Sequence, residues 1–430
     1  MNGKTFYIKT YGCQMNVNDS EKMNHLLLNA GFEYINNEKD ADIVIINSCA
    51  VREKSQDKIF SHAGRLNKDQ IVIVAGCVSQ SERENIFKRN HNIDYVIGTH
   101  SFYNIVDIVN QLIEKKKKGA SLEFTREWRE LIPSCYARFD KISGYVSIME
   151  GCNNFCSYCI VPFTRGREKY RPFENILNEA KNLENNGYKE VILLGQNVNS
   201  WRDDEKGMKF HNLLESLAKN LNVKWIRFIT SYPGYYSREL IDVMKSHRNI
   251  ARHIHFPAQS GSTRILKLMN RIYTAEEYIK IIEDFKKHIP DIKFSSDFIV
   301  GFPQETEEDF KKTLELVKRV EFESIFSFVY SPRKHTKAIE FEDNVSLKEK
   351  KERLYRLQEL QAEIQLRNNK KLIGKEIEVL ITDRNRKKPD EVVARTESYR
   401  VVNFKSDMEP GNFVNVRIVS AGPHSLRAKI

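Results

Sequence analysis

The sequence of 430 residues contains no apolar run as long as a membrane span, and its first residues lack the apolar core of a secretory signal. It also contains no internal repeat and no low-complexity tract. Charged residues make up 30% and hydrophobic residues 40% of the chain, which argues against an intrinsically disordered protein. We therefore expect a cytoplasmic globular protein without a membrane partner, built from two or three domains because of its length.

Cysteines are few, with seven in the chain, and without a secretory signal we do not expect them to form structural disulfides. Clustered cysteines in such a chain indicate metal ligation or catalysis. Six of them form two sets of three, whereas Cys135 stands apart from both sets. We interpret Cys135 as an ordinary thiol.

The N-terminal domain, predicted over residues 1–118, alternates apolar strands with helical patterns. Continuous apolar runs are typical of parallel strands buried on both faces, so this part is predicted to be an open α/β domain. A lysine run, Lys115 to Lys118, leads into a linker predicted at 119–137. The predicted strands are Thr5–Lys9, Ile43–Ile46, Ile71–Val74 and Tyr95–Ile97, and a helix is predicted at Asp19–Ala30.

Residues 138–368 contain six strand-helix units, which predict a partial (β/α)6 barrel. In such barrels the chemistry lies at the carboxyl ends of the strands. A charged helix, Leu347 to Lys371, is expected to lead out of the barrel. The predicted strands are Tyr145–Met149, Val191–Leu194, Trp225–Ile229, His253–Phe256, Lys293–Ile299 and Ser324–Val329.

The last segment, 369–430, has short strand patterns separated by Gly and Pro turns, which predict a small antiparallel β-barrel. The four predicted strands are Glu376–Ile381, Val392–Thr396, Arg400–Phe404 and Phe413–Val419. The net charge of the chain is +11, and residues 367–430 carry 14 basic and 8 acidic residues. A small basic β-barrel is typical of nucleic-acid binding, and an interdomain packing module is the alternative. The residues predicted to contact RNA lie on one turn, namely Arg384, Arg386, Lys387 and Lys388.

The first set of cysteines is a CxxxCxxC run, Cys152, Cys156 and Cys159, directly after the first predicted barrel strand. Three thiolates on one short loop can bind three irons of a [4Fe–4S] cluster and leave the fourth iron open. An open iron can chelate S-adenosylmethionine, whose reductive cleavage gives a 5′-deoxyadenosyl radical. A zinc site is the alternative, but zinc usually takes four ligands in paired CxxC spacing. The spacing therefore favours the cluster.

The second set is Cys13, Cys49 and Cys77, which follow the first three predicted strands of the N-terminal domain. Parallel strands place their carboxyl ends side by side, so these thiols can converge on one point. We predict a second three-thiolate iron–sulfur site there. The alternative is three buried cysteines that serve as small hydrophobic residues.

Other residues at the predicted strand ends are candidates for binding S-adenosylmethionine. Tyr158 could stack on the adenine or pack in the core, and Gly301, Phe302 and Pro303 could approach the adenine or form only a tight turn. The candidates for the methionine and ribose parts, with loop capping as the alternative, are Gly195, Gln196, Asn197, Ser231, Gln259 and Ser260.

Several motifs together resemble the radical S-adenosylmethionine methylthiotransferases, and the resemblance covers the whole chain. The tail resembles the TRAM domain, an RNA-binding β-barrel. His335 and Ile272 stand where that family usually has glycine. The matching segments are Tyr11–Asn16, Gly151–Cys159, Thr164–Glu168, Leu194–Asn199, Gln259–Ser262, Gly301–Pro303 and Tyr330–Arg333.

Within that family, Gln14 and Met15 resemble the branch that acts on N6-dimethylallyladenosine at position 37 in the anticodon stem-loop of tRNA. The resemblance implies two [4Fe–4S] clusters, one that generates the radical and one that holds the sulfur to be inserted. It also implies two uses of S-adenosylmethionine, to methylate that sulfur and to activate the C2–H bond. A flavodoxin-like reductant and a sulfur or cluster donor are implied as partners.

Three alternatives remain open on the sequence. The substrate could be threonylcarbamoyl-adenosine in tRNA or a ribosomal protein, although the basic tail and Gln14-Met15 count against a protein substrate. The chain could also be a non-catalytic iron–sulfur protein that binds RNA, which the open iron of the CxxxCxxC loop counts against.

Overall fold

The computed structural model describes residues 3–50, 53–115, 117–125, 127–131 and 138–430. Its N-terminal part is a six-stranded parallel sheet covered by helices on both faces. Alternate residues of one strand enter two separate cores, with Ile43 and Ile45 on one face and Val44 and Ile46 on the other. This double burial is why the strands are continuously apolar.

The N-terminal sheet has the strand order β2-β1-β3-β4-β5-β6. Its elements in chain order are β1 (Thr5–Tyr11), α1 (Gln14–Asn29), β2 (Glu33–Tyr34), β3 (Ile43–Ser48), α2 (Glu53–Ala63), β4 (Ile71–Gly76), α3 (Cys77–Glu82), α4 (Asn85–Arg89), β5 (Tyr95–Ile97), α5 (Ile105–Lys115) and β6 (Gly119–Ser121).

Two details differ from the sequence-based expectation. The sheet extends beyond residue 118, because β6 pairs in parallel with β5 where we expected the linker to begin. Helix α1 begins five residues earlier than expected, at Gln14. Its first turns carry buried polar residues such as Asn16 and Asn18, which pack against other parts of the protein and hide the apolar periodicity. Cys135 lies outside the described residues.

The central part is a partial barrel of six parallel strands in two three-stranded sheets, β13-β10-β7 and β14-β15-β16, with helices outside. Among the described residues the edge strands β7 and β16 do not pair, so the barrel is open on one side. Its main elements are β7 (Ser143–Ser147), β8 (Met149–Glu150), α6 (Val161–Thr164), β9 (Lys169–Tyr170), α7 (Phe173–Asn185), β10 (Glu190–Leu194), β11 (Arg202–Asp203), β12 (Met208–Lys209), α8 (Phe210–Asn220), β13 (Trp225–Phe228), α9 (Arg238–Ser246), β14 (His253–His255), α10 (Thr263–Leu268), α11 (Ala275–His288), β15 (Lys293–Val300), α12 (Glu307–Val320), β16 (Ser324–Val329) and α13 (Leu347–Lys370).

The C-terminal part is a closed five-stranded barrel with the strand order β17-β18-β19-β21-β20. One strand more than expected is present, since the final residues also form a strand, and it pairs in parallel with β19 while the other pairs are antiparallel. Its strands are β17 (Glu376–Arg384), β18 (Glu391–Arg395), β19 (Val401–Lys405), β20 (Phe413–Ala421) and β21 (Ser425–Lys429). The predicted three-part architecture is thereby confirmed.

The small barrel covers the amino-terminal end of the central barrel. Arg395 from β18 contacts Ser143 and Glu190, which are the first residues of β7 and β10. The rings of Trp225 and Phe413 lie 4.8 Å apart in an edge contact. The small barrel therefore lies at the end opposite the carboxyl ends of the barrel strands.

None of the helices in the described ranges has the length and apolar character needed to cross a membrane.

Candidate active site

The CxxxCxxC loop leaves the carboxyl end of the first barrel strand. Gly151 has a φ of +83°, and a Cβ atom there would lie 2.2 Å from the carbonyl oxygen of Arg167, so only glycine fits. The Gly151 amide donates to Oε1 of Gln196 at 2.6 Å, and the Cys152 amide donates to the Gly166 carbonyl at 3.2 Å. These contacts fix the loop over the barrel mouth.

The three thiols of this loop are largely withdrawn from water. Cys156 is buried, and Cys152 and Cys159 are half-buried. Burial raises the pKa of the Cys152 thiol to about 11, and it raises the pKa of Cys159 further. A cation or metal is needed to stabilise thiolates in such surroundings.

Arg271 supplies a buried cation at this loop. Its guanidinium donates to the Cys156 sulfur at 3.4 Å and to the Pro257 carbonyl at 2.9 Å, and it lies 4.3 Å from the ring centroid of Tyr232. No carboxylate of the described residues forms an ion pair with it. A buried cation without a counter-ion is costly, so this position fits an anionic group next to Cys156. No motif in the sequence predicted a role for Arg271.

The second set of cysteines lies where parallel strands end, as expected. Cys13 caps the N-terminus of α1, Cys49 directly follows β3, and Cys77 begins α3 after β4. A hydrogen bond with Cys49 lowers the pKa of the Cys13 thiol to about 6, whereas burial raises the pKa of Cys77. The three strand ends therefore bring thiols together at one edge of the sheet.

Arg165 links the segment after the CxxxCxxC loop to the second set of cysteines. It follows α6, the short helix next to Cys159, and its Nε donates to the Cys77 sulfur at 3.3 Å. Its Nη2 forms an ion pair with Asp19 at 2.5 Å. Arg165 lies in one of the segments that carry the family resemblance, although no local pattern predicted a role for it.

Two further contacts between side chains and backbone carbonyls hold the N-terminal sheet edge against the segment after the CxxxCxxC loop. The Thr99 hydroxyl donates to the Thr164 carbonyl at 2.7 Å, and His100 Nε2 lies 3.1 Å from the Arg165 carbonyl oxygen. The N-terminal sheet edge and the barrel mouth therefore face each other across a packed interface. Within the described ranges, no three His, Cys, Asp or Glu side chains form a group that could hold a metal ion. A four-iron cluster is larger than one ion and needs its cysteine sulfurs farther apart.

Two of the residues predicted to bind S-adenosylmethionine have unsatisfied buried atoms. Asn197 Oδ1 and Ser231 Oγ are buried without a hydrogen-bond partner among the described residues. Buried polar atoms are normally satisfied, so both positions fit a polar ligand at the barrel mouth. Tyr158 is partly buried between the barrel core and a smaller cluster that contains Phe302.

The other predicted residues have packing contacts of their own. Gly301 has a φ of +65°, and a Cβ atom there would lie 2.2 Å from the Lys350 side chain on α13. Phe302 is fully buried against Tyr330, and Ser260 lies 3.4 Å from the Thr313 hydroxyl. Further members of this group are Gly195, which meets Met149, Pro303, which is buried, and Gln259, which has a φ of +70° and bridges to Phe298.

The predicted RNA-binding turn divides into two kinds of residue. Arg384 donates to the Ser406 carbonyl at 3.1 Å and pairs with Glu409 at 2.8 Å, and Lys388 pairs with Glu391 at 3.2 Å. Arg386 and Lys387 are exposed, and neither forms an ion pair with another described residue. The turn is remote from both sets of cysteines, because the small barrel lies at the opposite end of the central barrel.

His335, which replaces a usual glycine of the family, has a φ of +69° in the left-handed region. The backbone conformation explains why glycine suits this position. Ile272 is 68% exposed and not in that region, so nothing in the backbone requires a glycine there.

Family models match three parts of the chain. Residues 146–317 match the radical SAM superfamily, residues 5–98 match Uncharacterized protein family UPF0004, and residues 370–430 match the TRAM domain. The radical S-adenosylmethionine methyltransferase TsrM from Kitasatospora setae has a similar fold, with a TM-score of 0.58 at 13% identity over 79% of this chain and 74% of that one. The fold and the barrel-mouth cysteines thus define a radical S-adenosylmethionine protein.

The relatives identify the family more closely. The tRNA-2-methylthio-N(6)-dimethylallyladenosine synthase of Thermodesulfovibrio yellowstonii is 43% identical over 100% of this chain and 99% of its own length. The Bacillus subtilis protein of that name is 40% identical over 99% of this chain and 85% of its own length. The chain belongs to the family of tRNA-2-methylthio-N(6)-dimethylallyladenosine synthases, which confirms the predicted methylthiotransferase resemblance.

Proposed function

We propose that this protein adds a methylthio group to C2 of N6-dimethylallyladenosine in tRNA, at position 37 of the anticodon loop. The observation that carries the proposal is the pair of three-cysteine sets, one on the loop after the first barrel strand and one at the carboxyl ends of three parallel strands, with Arg165 from the segment after that loop donating to Cys77. A non-catalytic RNA-binding protein would not need two such sets. We place the reaction in the cytoplasm, with tRNA as the substrate.

The residues present fit two [4Fe–4S] clusters and S-adenosylmethionine. In this proposal Cys152, Cys156 and Cys159 hold the cluster at the barrel mouth, and the strand-end cysteines Cys13, Cys49 and Cys77 hold the other. When bound, these groups supply the radical that activates the C2–H bond and the sulfur that replaces the hydrogen.

In this proposal the side chains of the protein bind S-adenosylmethionine and keep water away from the radical. Asn197 and Ser231 offer buried polar atoms to S-adenosylmethionine, and Arg271 offsets negative charge beside Cys156. The packed interface between the sheet edge and the barrel mouth excludes water, which protects a radical from side reactions. Residues 1–118, 138–368 and 369–430 are proposed as the functional domains, with a flavodoxin-like reductant and a sulfur or cluster donor as further partners.

The test is anaerobic reconstitution followed by incubation with tRNA that carries N6-dimethylallyladenosine. Mass spectrometry of the nucleosides should show the 2-methylthio derivative, together with 5′-deoxyadenosine. Conversion of threonylcarbamoyl-adenosine or of a ribosomal protein instead would contradict the proposed substrate. Absence of 5′-deoxyadenosine would leave only the RNA-binding alternative.

Charge reversal of Arg386 and Lys387 should weaken tRNA binding. Both side chains are exposed on the turn after β17. Each lost phosphate contact should make the slope of log affinity against log salt shallower by roughly 0.7–0.9. Filter binding across a salt series measures the affinity for tRNA and its dependence on salt. The control is the double variant Lys311→Glu and Lys318→Glu on the outer helix α12, which changes the net charge by the same amount. An unchanged slope would show that the small barrel is only a packing module.

Removing residues 372–430 altogether is a poorer experiment than this charge reversal. The small barrel buries the ion pair of Arg227 with Glu190, whose side chains are 2% and 0% exposed. Its removal would expose that pair and the ring of Trp225, so lost stability would be mixed with lost RNA binding.

Arg271→Gln should lower the reduction potential of the cluster at the barrel mouth. Reduction adds negative charge, which the buried guanidinium beside Cys156 stabilises. Removing one charge a few ångströms away should shift the midpoint by roughly 50–100 mV. A potentiometric titration followed by electron paramagnetic resonance measures the shift. Arg271→Lys should have a midpoint potential close to that of the wild type, and Lys267→Gln on the exposed face of α10 should leave the midpoint potential unchanged. Equal potentials for Arg271→Gln and wild type would refute this role.

A further inference from the structure

The inner face of the barrel's edge strand β16 carries two exposed phenylalanines. Phe326 and Phe328 are 49% and 41% exposed, although they are large apolar residues. In the parallel register they lie beside Asp297 and Ile299 of β15. Ile325 and Val329, which flank the two phenylalanines and point to the other face of the strand, pack against the main core. The two rings therefore face the interior of the open barrel.

The opposite wall of the barrel interior is also apolar. Ile192 and Leu194 of β10 form a cluster with Met15, which reaches in from helix α1 of the N-terminal part, and Tyr145 and Ile229 pack against it. Since β7 and β16 do not pair in the described part of the chain, the space between these walls opens to the side.

A polar pair lies next to the phenylalanines. His255 Nε2 is 3.2 Å from Asp297 Oδ2, and His255 Nδ1 is 2.9 Å from Ser295 Oγ. The His255 ring makes an edge contact with Phe326, with centroids 6.0 Å apart. The Asp297 side chain is 32% exposed and the His255 side chain 13%, so both can still reach a ligand.

We propose that this surface binds the target nucleoside, with Phe326 and Phe328 contacting the apolar N6 substituent and Asp297, held in place by His255, accepting a hydrogen bond from the adenine. The inference rests on the proposed function and assigns the residues that select a dimethylallyl nucleoside over plain adenosine. Adenine with one N6 substituent keeps an N6–H donor, which suits a carboxylate acceptor.

The position on the strand agrees with this orientation. Phe328 lies one residue and Phe326 three residues before the carboxyl end of β16, so the rings lie one below the other, beneath the barrel mouth. C2 and C6 of adenine flank N1, so a base with C2 toward the cysteines can direct its N6 substituent down onto these rings.

The experiment compares binding of two anticodon stem-loop RNAs that differ only in the dimethylallyl group. Phe326→Ala should raise Kd for the dimethylallyl RNA roughly tenfold, the size of one lost apolar contact in a specificity pocket, and change Kd for the unmodified RNA little. Phe326→Leu should restore most of the preference. Tyr355→Ala on α13, where the side chain is 65% exposed, is the matched control and should not alter either Kd.

A second variant tests the polar pair. Asp297→Asn keeps the shape but removes the charge, and because both RNAs present the same adenine edge, Kd should rise by the same factor for both. The proposal would be overturned if Phe326→Ala kept the preference for the dimethylallyl RNA, or if it raised Kd equally for both RNAs. Neither result would contradict the proposed function, as long as the wild-type protein converts tRNA to the methylthio product. Wild-type protein that prefers neither RNA would overturn the specificity proposal directly, and failure of wild type to form the methylthio product would identify failure of the function itself.

Discussion

Replacing Cys152, Cys156 and Cys159 together by alanine is expected to abolish reductive cleavage of S-adenosylmethionine. The reconstituted variant should lose about half of its iron, because one of two four-iron clusters has no ligands left. Formation of 5′-deoxyadenosine should fall to background and no methylthio nucleoside should form. Iron analysis and chromatography of the anaerobic reaction with dithionite measure both effects.

The matched control for this variant is Cys135→Ala, which removes a cysteine that belongs to neither set. It should keep full iron content and cleavage. The fold should survive the triple substitution, since two of the three side chains are only half-buried and all three lie on a loop. Normal yields of 5′-deoxyadenosine from the triple variant would rule out the barrel-mouth loop as the cofactor site.

The sequence predicted features that depend on short-range patterns. The spacing of metal ligands is a local pattern, so the CxxxCxxC run predicted the first set of cysteines. Apolar runs predicted the strands whose ends carry the second set. The same logic placed Asn197 and Ser231 at strand ends, where the structure leaves buried polar atoms unsatisfied. Strand β6, Gly119–Ser121, and the final strand, Ser425–Lys429, were not predicted because they consist mostly of small and polar residues and contain no apolar run.

Features that join distant segments could not be predicted in this way. Arg165 lies 88 residues from Cys77, and Arg271 lies 115 residues from Cys156. Such pairs are brought together only by tertiary packing, and an isolated arginine carries no local signal. The same holds for Gly301, whose close neighbour is Lys350 on a helix almost fifty residues further along. The sequence could suggest a close approach there but could not identify the partner.

The two sets of cysteines also differ in their electrostatics, which bears on their separate roles. Arg165, beside Cys77, is paired with Asp19, whereas Arg271, beside Cys156, has no carboxylate partner among the described residues. A neutralised cation stabilises negative charge less than an uncompensated one. We therefore expect a cluster bound at the barrel mouth to accept an electron more readily than one bound at the sheet edge, as radical generation there requires.

Replacing Cys13, Cys49 and Cys77 together by alanine is expected to separate radical formation from sulfur insertion. These residues lie at the strand ends of the N-terminal sheet, and Cys77 contacts the segment after the CxxxCxxC loop through the hydrogen bond that Arg165 donates to it. The variant should lose about half of its iron. It should still cleave S-adenosylmethionine, but it should form no methylthio nucleoside.

Arg165 calls for a second variant in this experiment. Without Cys77, the Nε of Arg165 loses the sulfur to which it donates. The ion pair with Asp19 still balances the charge of the guanidinium, so the interface between the N-terminal sheet edge and the barrel mouth should remain intact. Asp19→Asn with intact cysteines tests the interface alone, and it should reduce thermal stability while retaining both clusters. Mössbauer spectroscopy counts the clusters, and nucleoside mass spectrometry follows the product. Methylthio product from the Cys13, Cys49 and Cys77 variant, or full iron content in it, would exclude a second cluster at the sheet edge, because this variant retains only Cys135 and the three cysteines of the CxxxCxxC loop.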